Sequence, residues 1–147
     1  MLKKAVGVSI TNEKRTLFYL QKKDNEYWIP QLRLKYCFFG GQIESSETES
    51  IALERELLEE LNPDLAKIIY KNSKRVLSSY FINVLGENYK FSLYESVLHD
   101  KTMEKLSSLT VKEGEGFLIK RENILKIPFF PSLKDTLERY LSSLKED

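Results

Sequence analysis

The chain has 147 residues, 41% of them hydrophobic and 31% charged, enough apolar material for one domain with its own core. Its 23 basic and 22 acidic side chains leave a formal charge of +1, so bulk charge makes no case for nucleic-acid binding. One cysteine, Cys37, excludes an intrachain disulfide, and one histidine, His99, excludes a histidine-rich metal site; with no leader-like amino end and no apolar run of transmembrane length, a reducing, cytoplasmic setting away from the membrane is expected.

Alternation and β-branching over Lys4 to Ile10 predict a strand, a turn follows at Thr11 to Lys14, and Thr16 to Leu20 is a second apolar segment, so the two are expected to form a hairpin. Gln21 to Glu26 is a polar connection leading through Tyr27, Trp28 and Ile29 to Pro30. Arg33 and Lys35 alternate with Leu32, Leu34 and Tyr36, which would put both cations on one strand face, either as its wet side or beside a phosphate tail. Tyr36 to Phe39 reads as extended and partly buried, with Cys37 a core residue.

After Gly40 and Gly41, a loop carrying Glu44 and Glu47 enters a helix expected from about Thr48 to Leu61. Ile51, Ala52, Leu57, Leu58 and Leu61 supply its apolar face while most of its acids point outward. Asn62 permits a left-handed terminal residue and Pro63 stops the helix. Val76 to Leu85 and Tyr89 to Leu98 read as strands about a turn at Gly86 to Asn88, His99 to Lys105 as a connection, and Gly116 to Lys120 as extended. From Ser132 to Leu144, Leu133, Leu137, Tyr140, Leu141 and Leu144 recur at helical spacing. Strands around two sizeable helices imply an α/β fold, a mixed sheet covered by helices, because every apolar face needs a partner.

The most informative stretch is Gly40 to Glu60. At 3.6 residues per turn Glu56, Glu59 and Glu60 fall on one side of the helix, where they repel one another unless a cation or basic group compensates them. Carboxylates are the ligands that Mg²⁺ and Mn²⁺ prefer. Gly41, Glu47, Arg55, Glu56, Leu57, Glu59 and Glu60 together match the box of the Nudix hydrolases in type and spacing, and the chain resembles that family in its order of elements as well. Asn62 and Pro63 stand where the box usually ends in glycine and an aliphatic residue, and Phe39 where many members carry proline.

The resemblance implies one domain over 1–147 with the box at 41–63, a Nudix α/β/α fold, and hydrolysis with Mg²⁺ or Mn²⁺ of a phosphoanhydride in a nucleoside triphosphate or a nucleoside diphosphate linked to another moiety. It implies metal ligation by Glu56 and Glu60, assisted by Glu59 and the Gly40 carbonyl, with Glu44 approaching the same cluster. The general base is either Glu59 directly or Glu56 through water held at the metal. Arg55, four residues before Glu59, is expected to orient that acid, and Glu47 to steady the loop and helix start. A further acid is expected from VKEGEGF, Glu115 first and Glu113 second, against the reading of a solvated turn.

Tyr19, Trp28, Tyr80 and Phe81 offer faces for a nucleobase, with core packing the competing reading and Trp28 the preferred exposed ring. A small nucleotide is the expected partner, for a monomer or homodimer. A nucleotide-binding module without hydrolysis and an RNA-linked pyrophosphate hydrolase remain open alternatives.

Overall fold

The computed structural model describes residues 1–106 and 114–144. Its spine is strand β1 (Leu2–Asn12), which runs parallel to β6 (Asn88–Leu98) over its whole length, from Leu2 opposite Asn88 to Asn12 opposite Leu98. The other edge of β1 is divided. Ala5 to Val8 pair antiparallel with β4 (Phe39–Gln42), whereas Ile10 and Thr11 pair with β2 (Leu17–Lys22). Strand β2 also pairs with β3 (Tyr36–Cys37) and β7 (Glu115–Lys120), and β5 (Ser73–Ile82) closes the sheet against β6. The expected hairpin is the β1–β2 pair, its turn held by the Asn12 side-chain carbonyl, which accepts from the Thr16 and Leu17 amides.

Helices cover both faces of this mixed sheet, as expected. On one, Val6, Val8 and Ile10 of β1 pack against helix α1 (Glu49–Glu60), helix α2 (Pro63–Lys71) and helix α3 (Asp100–Leu106) through Leu53, Leu57, Ile69 and Met103. On the other, Phe18, Leu20, Phe91 and Leu93 pack against helix α4 (Lys134–Ser143) through Leu137, Tyr140 and Leu141. Among the described residues no helix is long and apolar enough to cross a membrane.

Three local expectations are corrected. Arg33 and Lys35 do not share a strand face: Pro30 starts a 3-10 turn through Leu32, and Leu34 takes a left-handed φ of 60°, which interrupts the alternation. Asn62 is not left-handed but extended (φ −66°, ψ 154°); its side chain accepts from the Leu65 amide and so starts α2, with Pro63 in the first turn, where its missing N–H costs nothing. The connection after His99 is helix α3, whose first amides bond the His99 carbonyl.

A buried carboxylate locks α4 to the sheet. Glu95 on β6 receives Arg15 at 2.8 and 3.2 Å and the Tyr140 hydroxyl at 2.5 Å, and Ser9 donates in turn to that hydroxyl at 3.0 Å. Burial pushes the Glu95 carboxyl up, but Arg15 and Tyr140 outweigh it and hold the group below its ordinary range. The unfolded chain therefore binds this proton first, so the contribution is present above about pH 4.3, the ordinary glutamate value, and is lost as pH falls through the folded value. Glu95→Gln is expected to cost about 2 kcal/mol at pH 7 in urea unfolding and to flatten the acid side of the stability curve. Equal acid slopes in the two proteins would contradict the assignment.

Candidate functional site

The segment that enters α1 is shaped by two glycines. Gly40 has φ 144°, and a Cβ there would stand 2.1 Å from the Val6 carbonyl oxygen, so only glycine passes this close to β1. At Gly41 a Cβ would meet Glu56 Oε1 at 2.4 Å, so the Glu56 carboxylate lies directly against the bare Cα. Thr48 then caps α1 by accepting from the Ile51 amide.

The buried arc of α1 differs from the expected one. Leu53 joins Ala52 and Leu57 inside, while Ile51 and Leu58 are 54% and 44% exposed. Glu56 and Glu60, one turn apart, turn inward with this arc, and Glu60 is only 1% exposed. Inward carboxylates need partners. Glu60 accepts from the Gly40 amide at 2.9 Å and from Gln21. Burial pushes its carboxyl up to about 8, with the nearby Glu56 acting in the same direction, against the pull of Lys23, the Gly40 amide and Gln21.

Arg55 is the hub of the loop. Its guanidinium donates to Glu47 at 2.6 and 2.8 Å, to the Gln42 carbonyl at 3.0 Å, to Glu56 at 3.0 Å and to Glu59 at 3.3 Å. Glu47 also accepts from the Glu44 amide, and the forked pair with Arg55 draws its carboxyl down to about 2. Arg55 thus touches Glu59, as the i,i+4 spacing suggests, but its bidentate partner is Glu47, which closes the 42–47 loop onto the helix.

Among the described residues no three acidic, cysteine or histidine side chains converge into a ready ligand set. The donor chemistry nevertheless suits a hard divalent ion: Glu56 and Glu59 are carboxylates that already meet at one cationic nitrogen, Arg55 Nη1. Glu44 is exposed and contributes its amide to Glu47. Glu115 is exposed at the start of β7, opposite Lys22 and next to the Gln21–Gly116 pair. Glu113 lies outside the described residues.

Beside the box, a cleft of about 640 Å³ opens on the α4 side of the sheet, a volume suited to a small organic ligand. Gly40, Gly41 and Gln42 form one end; Lys23, Tyr27 and Trp28 form a wall; Phe81, Asn83, Glu87 and Tyr89 lie on the β5–β6 side, with Lys3 of β1. Lys23 sits 4.8 Å over the Tyr27 ring and is close enough to pull down the carboxyl of Glu60. Trp28 is 70% exposed on this wall.

Tyr80 points to the opposite side of the sheet, Tyr19 is buried and stacked on Phe39, and Phe81 alone of that aromatic pair reaches the cleft. Arg33 and Lys35 are not among the lining residues; Arg33 donates to the Tyr27 carbonyl at 2.7 Å. Cys37 also borders the cleft, but burial raises its thiol to about 12, which leaves it no nucleophile. Lys3, Lys23, Asn83, Glu87 and Tyr89 carry no local signal as site residues, because they come from three separate stretches of ordinary composition, the start of β1, the connection after β2 and the β5–β6 hairpin.

A model of the NUDIX domain matches residues 1–124. Among solved structures, the chain is similar to the E. coli ORF135 protein, at 19% identity over 96% of this chain and 89% of that one, with a TM-score of 0.66. It is similar to the MutT protein from Methanosarcina mazei Go1 at 17% identity over 95% and 92% of the two chains, TM-score 0.66, and to a mutT/nudix family protein from Listeria innocua at 18% identity over 97% and 92%, TM-score 0.66. At these identities the likeness is one of fold. No curated protein matches the sequence.

Proposed function

The chain belongs to the NUDIX family, and from that premise we propose that it hydrolyses a phosphoanhydride bond in a nucleoside triphosphate, or in a nucleoside diphosphate linked to another moiety, with Mg²⁺ or Mn²⁺. The observation that carries this reading is the junction of the inward Glu56 and Glu60 with a nucleotide-sized cleft at Gly40 and Gly41.

In this reading Glu56, Glu59 and Glu60, with the Gly40 carbonyl, hold the divalent ion. When bound, that ion neutralises phosphate oxygens and makes water a better acid. Glu59, the most exposed of the three acids at 51%, takes the proton of the attacking water, and Arg55 holds Glu59 and Glu56 in place from behind. Lys23 attracts the phosphate chain toward the box end of the cleft, and the aromatic wall of Tyr27 and Trp28 excludes water from the other side.

The test is a panel of nucleoside triphosphates, dinucleoside and sugar-linked diphosphates and triphosphate-ended RNA, assayed with Mg²⁺, with Mn²⁺ and with chelator. Turnover of a free nucleotide that disappears with chelator is the expected result. Binding without turnover under every condition would establish a nucleotide-binding module in its place, and selective turnover of RNA ends would move the substrate to RNA.

A further inference from the structure

Beyond Gln42 along β1, where the Tyr89 hydroxyl donates to the Gln42 side chain at 3.3 Å, Lys3 at the start of β1 and Glu87 at the end of the β5–β6 turn form an ion pair inside the cleft lining. We propose that this pair reads the base of the bound nucleotide and selects guanine. The proposal rests on the reading of the cleft as a nucleotide site, and four observations carry it.

The first is position. Gly7 of β1 lies opposite Gly40 of the box strand, and Lys3 is four residues earlier, about 13 Å away at the rise of a strand. That span matches a nucleoside whose phosphates lie at the glycines. The second is orientation. Asn83 donates to Glu87 Oε1 at 3.1 Å while its own side-chain carbonyl takes the Leu85 and Glu87 amides, so the turn and the carboxylate are held together.

The third is spare capacity. Lys3 and Glu87 keep 34% and 31% of their side chains accessible. A carboxylate has about four acceptor positions and an ammonium three donors, so both retain bonds to give. Lys3, foremost, and Asn83 hold the Glu87 carboxyl below its usual range, so it is ionised at neutral pH. The fourth is the platform: the Phe81 and Tyr89 rings stack 5.2 Å apart at 14° beside the pair, facing the Tyr27 and Trp28 wall, which suits a flat ring.

Guanine carries two adjacent N–H donors, N1 and N2, and next to them the O6 acceptor. The two carboxylate oxygens of Glu87 match the donors and the Lys3 ammonium matches O6, giving three bonds in the right order. Adenine offers one donor beside one acceptor, cytosine one donor beside two acceptors and uracil one donor between two acceptors, so each makes at most two of these bonds. A half-buried pair arranged for one pattern discriminates against analogues that leave part of it unfilled.

The test uses Trp28, the single tryptophan of the chain, as a fluorescent reporter in the full protein without metal, titrated with GMP, IMP, AMP, CMP and UMP. GMP is expected to bind about tenfold or more tightly than IMP, which lacks only the 2-amino group. Glu87→Gln should remove the GMP preference over IMP, whereas Lys3→Met should weaken both equally because both carry O6. The GMP and IMP comparison in the unaltered protein needs no variant to fold. Equal affinities there, or no binding by any of the five, overturns the proposal. Hydrolysis of triphosphates with no base preference overturns it while leaving the hydrolase reading intact; a GMP preference without hydrolysis of any nucleotide sustains it and removes the hydrolase.

Discussion

Glu56→Gln and Glu60→Gln are each expected to lower turnover by about two to four orders of magnitude while the protein stays folded. The substitutions keep side-chain shape and a hydrogen-bonding oxygen, so the Gly41 contact of Glu56 and the Gly40 amide bond of Glu60 survive. What they remove is the negative charge that a divalent ion would need on two successive turns of α1. The measurement is kcat at saturating Mg²⁺ on whichever nucleotide the panel identifies, beside circular dichroism and a melting curve for each variant. Full turnover in both variants would remove these residues from the proposed ligand set. Conversion of Glu59 in the same way separates ligation from proton transfer, because loss of a base is read as a changed pH profile at unchanged metal affinity.

The second large effect concerns the protein without metal. Burial holds the Glu60 carboxyl at about 8, whereas in the unfolded chain it titrates near 4.3. Between these values the folded protein keeps a proton that the unfolded chain has released. Stability from this group is therefore fully present below about pH 4.3 and is lost as pH rises toward 8, at up to about 1.4 kcal/mol per pH unit. Urea unfolding with chelator from pH 5 to 8.5 should show the wild type weakening steadily and Glu60→Gln, which stays neutral, nearly flat. Mg²⁺ at pH 8 should restore the wild type by mass action and leave the variant unchanged. Parallel pH curves for the two chains would show that Glu60 does not carry the shift. A carboxylate buried without a cation thus costs stability as pH rises.

Local signals match the structure where one short-range rule decides the outcome. The β1–β2 hairpin and the end of α1 before Pro63 follow from alternation and a missing amide, and the start of α1 near Thr48 from the apolar spacing that begins there. Asn62 and Pro63 carried a second meaning, the start of α2, which the stop signal masked, although Asn followed by Pro and Asp64 is a starting pattern as well. Hydrophobicity alone assigns Ile51 and Leu58 to the buried arc of α1, yet both are exposed. The fold instead turned Glu56 and Glu60 inward, since Gly40, Gln21 and Arg55 were there to receive them.

The acidic constellation and its family are written in the chain before it folds, because the period of a helix converts the spacing of Arg55, Glu56, Glu59 and Glu60 directly into neighbourhood. Tertiary structure alone decided the cleft. Lys3 and Glu87 are 84 positions apart and meet because β1 and β6 run side by side, while Trp28 and Gly40 reach the same space through a 3-10 turn and the divided edge of β1. No local periodicity encodes such a meeting; it arises only when the strands register.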